Sequence, residues 1–230
     1  PAHPFPIAND GRRIIANVIS SAGREYWGAI SVNNYAAKVR LLGNHLKDNG
    51  DSTMGYPGIS VYGDSTAQPI SDIEIGWNRI ENQKGGASIA VIGESATPGN
   101  IDGVKIHDNL LLNNVDWHHI IVGGIDLPES NQTLDNVEIY NNVIVGAALS
   151  GIKINNQMMD VVIAHNTLVG NQSAALDFGM LGAGKVTLVN NIVVAGTSQP
   201  YYTGTITSIF ASSGVGDNLW HNGPSAGCPS

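Results

Sequence analysis

One phrase recurs along the chain: an apolar residue, any residue, an apolar residue, two more residues, an asparagine, any residue, an apolar residue. The copies are VRLLGNHL from Val39, IEIGWNRI from Ile73, VKIHDNLL from Val104, VEIYNNVI from Val137, VVIAHNTL from Val161 and VTLVNNIV from Val186. Their asparagines, Asn44, Asn78, Asn109, Asn142, Asn166 and Asn191, are 34, 31, 33, 24 and 25 residues apart, and a degenerate copy, RRIIANVI, puts Asn17 27 residues before Asn44. Recurrence every 24 to 34 residues marks a stack of similar structural units. Within the phrase the apolar positions alternate at period two, a strand signal and not a helical one. A second apolar pulse follows each asparagine: GAISV from Gly28, GISVY from Gly58, SIAVI from Ser88, HIIVG from His119, GIKI from Gly151 and ALDF from Ala175. The apolar pair directly after the asparagine, as in Val143–Val145, makes a third strand.

Three short strands per repeat cannot bury their apolar faces singly. Stacked about 4.8 Å apart they form parallel sheets around one core. The sequence therefore predicts an all-β parallel β-helix of about seven to eight coils with an internal asparagine ladder. Each asparagine is expected at a sharp corner, tolerating left-handed backbone angles and bonding its counterparts above and below. The phrase resembles that of the right-handed parallel β-helix, or pectate-lyase-like, superfamily, whose members carry the same Val-x-Ile-x-x-Asn-x-Ile pattern and ladder. The resemblance runs from about Arg12 to Ala195 and specifies the coil, not a reaction. One domain is expected over 1–230, with regular coils over 12–195 and an irregular turn and tail over 196–230, where Tyr201, Tyr202, Phe210 and Trp220 would close the core. The absence of an initiator Met suggests a processed chain or a piece of a longer one.

Composition narrows the partners. With 42% apolar and 13% charged residues the chain is too hydrophobic for disorder and too weakly charged for a coiled coil. No apolar run is long enough to span a bilayer, so membrane insertion is not expected. A net charge of −8 and a pI near 5.2 repel phosphate backbones, so nucleic acid is not expected either. The one cysteine, Cys228, supports neither an internal disulfide nor a thiolate metal site. A secreted or cell-surface protein fits these features.

The variable position of the phrase should point outward, reading Arg40, Glu74, Lys105, Glu138, Val162 and Thr187, a surface salt ladder. On the second-pulse sheet the outward positions read Ser31, Ser60, Ala90, Ile121, Lys153 and Asp177, with Asn33, Tyr62 and Asn155 two residues further on. The resemblance implies that this sheet floors a polysaccharide groove, and the longest repeats supply loops beside it. Tyr56, Tyr62 and Trp117 could offer flat faces to pyranose rings, with Asn155 as a further binding residue. The densest polar group comprises His107, Asp108, Asp116, His118 and His119, with Asp126 and Glu129 on the next loop. Asp116, His118 and His119 are candidates for proton transfer, and Asp116 with Asp126 for a calcium ion. The neighbours His118 and His119 should alternate sides, which disfavours a zinc pair. Lys153 beside Asp177 could orient or neutralise substrate, or act as a base. In the superfamily, lyases combine several carboxylates holding calcium with a basic residue on this sheet, whereas here Asp177 alone is acidic along the expected floor. Two readings follow: a protein that binds and cleaves a polysaccharide, as lyase or glycoside hydrolase, and a non-catalytic glycan-binding, adhesin-like or fibre-forming solenoid. An epimerase acting on polymeric uronates is a third. The short, proline-rich N-terminal segment leaves the first coil poorly covered, and end-to-end or other homo-oligomeric association is an expectation from it.

Overall fold

The computed structural model describes residues 9–10, 12–21, 28–33, 36–53, 55–63, 70–93, 100–123, 133–155, 158–179, 186–196, 199–204 and 215–222. Every strand pairing is parallel, and the strands fall into three sheets that the chain visits in turn. Sheet 1 holds the phrase itself, with strands such as Ile70–Gly76, Asn100–His107 and Thr133–Tyr140. Sheet 2 is built from three-residue strands directly after each asparagine, such as Arg79–Glu81 and Leu110–Leu112. Sheet 3 contains the second pulse, including Ile59–Gly63, Ile89–Gly93, Ile120–Val122, Ser150–Ile154, Ala174–Phe178 and Tyr202–Gly204. The result is a parallel β-solenoid. No helix among the described residues is long and apolar enough to cross a membrane.

Registration is set by equivalent positions of the phrase. Val104 sits beside Ile73 and Val137, and Ile106 beside Ile75 and Ile139. A shift by one residue would turn this whole set outward. With Leu111 from sheet 2 and Ile120 and Val122 from sheet 3, these side chains form one continuous core along the axis.

The asparagines do form a ladder, by a different device from the one the sequence suggested. The residue before each asparagine takes the left-handed conformation: Ala16, Gly43, Trp77, Asp108, Asn141, His165, Asn190 and Asp217 all have φ between 51° and 63°. The turn at that residue swings the following asparagine inward. There its backbone N–H and its Nδ2 both donate to Oδ1 of the asparagine in the next coil. In the Asn78 to Asn109 step these distances are 2.9 and 3.0 Å. Nδ2 also reaches a carbonyl of the preceding coil, as from Asn78 to Leu41. The chain of amides runs from Asn17 to Asn218.

A second inward polar column lies five residues beyond the first: Asn49, Gln83, Asn114 and Asn171, interrupted by Ala147. It also follows left-handed residues, Asp48, Asn82, Asn113 and Gly170. Two tight corners thus bracket each three-residue strand of sheet 2. The asparagine spacing of five is present in the sequence, and this column could have been found there.

The expected outer ladder on sheet 1 is present in part. Arg40 pairs with Glu74 at 2.7 Å and Lys105 with Glu138 at 3.8 Å. At the C-terminal end Tyr201 and Trp220 pack together with ring centroids 5.1 Å apart, and Tyr202 lies against the core; Phe210 is outside the described residues.

Candidate functional site

Sheet 3 presents its outer side chains in the register the sequence implied. Lys153 is the lateral partner of Ile121 on one side and Asp177 on the other, and Asp177 pairs in turn with Thr203. The face has two unlike halves. Toward the N-terminal coils Ala90, Ile92 and Ile121 point outward yet are buried with Ala87, and Tyr62 packs on them. Toward the C-terminal coils the face is polar. The Lys153 ammonium lies 3.6 Å from Asp177 Oδ2, the two side chains 22% and 20% exposed, and Thr203 Oγ1 donates to Asp177 Oδ1 at 3.0 Å. Tyr62 is three coils from Lys153, roughly 14 Å at one strand spacing per coil, and is therefore not part of the same contact.

His118 joins the polar half from the loop that enters sheet 3. Its Nδ1 accepts the Ser150 N–H at 3.0 Å, which leaves hydrogen on Nε2. Burial and then the nearby Lys153 charge push its pKa down to about 3, so at neutral pH the ring is uncharged and serves as a hydrogen-bond donor. Lys153, Asp177 and Thr203 make one polar line along the axis over three successive coils, and His118, 3% exposed, lies beside it in the coil before, three residues ahead of Ile121.

His119 faces the other way, as alternation predicted. Its Nδ1 meets Ser88 Oγ at 2.9 Å and its Nε2 meets the Val145 carbonyl at 2.9 Å. The carbonyl can only accept, so Nε2 carries the hydrogen and Ser88 donates to Nδ1. Burial lowers its pKa to about 4. It has no exposed surface, and both nitrogens join coils of the interior.

Asp116 turns back one coil, where its Oδ2 accepts the Gly85 N–H at 2.9 Å. Trp117, half-buried, is fixed by its own N–H donating to Asn114 Oδ1 at 2.8 Å, and its ring lies 6.1 Å from that of His118. It borders Gly55, whose added Cβ would come 3.9 Å from the indole. Tyr56 is half-buried in the same loop layer, its carbonyl accepting from Gln83 Nε2. Asn155 is buried at the end of its strand and fills the space over Gly179, where a Cβ would lie 2.0 Å from its Oδ1.

The expected polar group therefore divides. Asp116, Trp117 and His118 belong to the loop beside sheet 3. His107 and Asp108 stand at the corner between sheets 1 and 2, because the three-residue strand Leu110–Leu112 and a further turn separate them from that loop. Asp126 and Glu129 lie outside the described residues. Among the described residues no three His, Cys, Asp or Glu side chains converge to hold a metal ion. Thr203 is the member of the polar line that sequence reading missed; its short strand, YTG, lacks the apolar alternation that marked the others.

No protein-family model matches the chain, and no curated protein matches it. Solved structures do. The selenomethionine derivative of a GH136 lacto-N-biosidase from Eubacterium ramulus aligns with a TM-score of 0.53 at 9% identity, over 89% of this chain and 56% of that one. The fold is a parallel β-helix. The native form of the same biosidase aligns with a TM-score of 0.39, at 10% identity over 89% and 51% of the two chains. A mutant tailspike protein of E. coli bacteriophage HK620, in complex with a pentasaccharide, aligns with a TM-score of 0.25, at 11% identity over 80% and 52%. The β-helix described here thus spans a little over half of the biosidase, and at these identities the likeness is one of fold.

Proposed function

We propose that this β-helix is the glycan-binding scaffold of a carbohydrate-active protein, holding a polysaccharide along the C-terminal half of sheet 3. The observation that carries the reading is the line of Lys153, Asp177 and Thr203 across three successive coils, with His118 beside it. A repeated spacing of about 4.8 Å presents donors and acceptors in sequence to an extended ligand. Lys153 donates, Asp177 accepts, and Trp117 borders the line with an apolar ring, next to the buried, neutral His118. Lys153 is already paired with Asp177 and the whole chain carries −8, so a neutral glycan suits the face better than a polyanion.

Cleavage is the finer reading, with seven to eight coils of a secreted protein presenting the substrate. A hydrolase of this kind needs two carboxyl groups flanking the scissile bond. Asp177 on the polar line and Asp116 on the loop beside it are the described carboxylates proposed for that role. Asp126, the proposed partner of Asp116 in holding calcium, lies outside the described residues. The test is isothermal titration with neutral and acidic polysaccharides, followed by mass spectrometry of products with calcium and with a chelator. Binding that fails on Lys153→Met with Asp177→Asn, without products, supports a binding scaffold. Saturated products show hydrolysis and unsaturated ones elimination. Binding indifferent to that pair of substitutions defeats the proposal.

A further inference from the structure

The corner between sheets 1 and 2 carries a second cluster, away from the sheet 3 line. The left-handed position there is occupied by Ala16, Gly43, Trp77, Asp108, Asn141, His165, Asn190 and Asp217. Glycine and the short side chains of Asn and Asp suit that backbone. A tryptophan at φ 55° does not, and Trp77 is also 57% exposed. Strain of this kind persists only where the surroundings hold it, and they do: the indole meets the ring of His107 edge-on at 4.7 Å. His107 is itself 3% exposed. It lies over Gly76, where a Cβ would come within 2.6 Å of the imidazole. Its other face is stacked on Tyr140, with centroids 4.9 Å apart and planes 7° from parallel.

The two imidazole nitrogens hold two carboxylates, Asp108 at 2.8 Å and Glu74 at 3.1 Å. The imidazole thus bridges the two acidic side chains. The second oxygen of Glu74 is bound to Arg40 Nε at 2.7 Å, while Asp108, with 35% of its side chain exposed, contacts His107 through Oδ2. Burial, and then the charges of Glu138, Asp108 and Glu74, raise the pKa of Tyr140, which keeps its phenol a donor. An exposed apolar ring, a carboxylate and a phenol are thus fixed before any ligand arrives, which lowers the entropic cost of binding.

We propose that Trp77, Asp108 and Tyr140 form a second binding site, for a neutral saccharide, at the corner of the solenoid opposite sheet 3. The indole takes the apolar C–H face of a sugar ring, Asp108 accepts from hydroxyls and Tyr140 donates to one. An anionic sugar is disfavoured, because three carboxylates, Asp72, Glu74 and Asp108, stand here against one guanidinium, Arg40, which pairs with Asp72 at 2.8 Å as well as with Glu74. A simple cation gains little, because Glu74 is already paired with Arg40 and Asp108 is hydrogen-bonded to His107. The choice of a saccharide rests on the proposed function; the existence of the site does not.

The informative variant is Trp77→Asn, since the same corner carries asparagine at Asn141 and Asn190 and the substitution suits the backbone. Its thermal midpoint should equal or exceed that of the parent. Isothermal titration would use cellohexaose, xylohexaose and tetra-N-acetylchitotetraose as neutral probes, hexagalacturonate as the acidic one and choline as the cation. At least one neutral probe is expected to bind, with affinity reduced tenfold or more in Trp77→Asn. If that loss occurs while Lys153→Met with Asp177→Asn binds normally, the corner site stands and the sheet 3 reading falls. The proposal is overturned if no neutral probe shows Trp77-dependent binding, or if hexagalacturonate or choline binds through Trp77 in preference to the neutral probes.

Discussion

Asn142 makes contacts in both axial directions. Its Oδ1 accepts from the backbone and side-chain nitrogens of Asn109, and its own nitrogens donate to Asn166 and to the carbonyls of Ile106 and Tyr140. Replacing it with leucine keeps the volume and strands several buried groups, each costing about 1–3 kcal/mol. Guanidinium unfolding of Asn142→Leu should show a loss of about 3 kcal/mol or more, whereas Asn17→Ala, at the exposed end of the ladder, should cost less than about 1 kcal/mol. Equal losses would mean that the ladder does not act through burial. The two neutral histidines give a pH dependence of definite sign. Above pH ~6.5 His118 and His119 are uncharged in both the folded and the unfolded chain. Below it the unfolded chain takes up protons that the folded one refuses, so stability falls as pH drops toward the folded values of about 4 and about 3, then levels off. The slope is about 1.4 kcal/mol per pH unit for each ring. His119→Gln, which can still accept from Ser88 and donate to Val145, should flatten the decline of the unfolding midpoint between pH 6.5 and 4.5. An unchanged slope would count against a buried neutral ring.

Individual strands here are short, and what they add is position. On sheet 3 the ion pair of Lys153 and Asp177 is partly solvated, and pairs of this kind contribute at most about 1 kcal/mol. Lys153→Met and Asp177→Asn should therefore leave the unfolding midpoint almost unchanged while weakening glycan binding, a separation that titration and thermal melting can read on the same samples. A large loss of stability without a change in affinity would assign the pair to the scaffold. The outer register of this sheet was legible because Lys153 and Asp177 follow the same apolar positions of their repeats. Its two halves were not legible. That Ala90 and Ile121 are buried on the outer side, separating Tyr62 from Lys153, depends on packing above the strand, to which the period-two pattern is blind.

Along the whole molecule each coil touches its two neighbours, so stability is distributed nearly one-dimensionally. The core positions Val104, Ile106, Val137 and Ile139 are fully enclosed, while Ile15, Val18 and Leu219 in the end coils are well exposed. Hydrogen exchange should therefore show the slowest amides in the coils of Asn109 and Asn142, and faster opening toward Asn17 and toward Leu219. Uniform protection from end to end would indicate that the coils unfold as a single unit. The recurrence of one eight-residue phrase was enough to specify parallel strands, the inward apolar set and the amide ladder, because each is a local pattern that repetition makes global. The residues that gather from different repeats were decided only by tertiary structure. His107 and Asp108 read as neighbours of Asp116 and His118 along the chain, and the turn after Leu112 sends them to different corners. Trp77 reads as one variable residue in a phrase until the left-handed backbone, the ring of His107 and the carboxylate of Asp108 are placed around it.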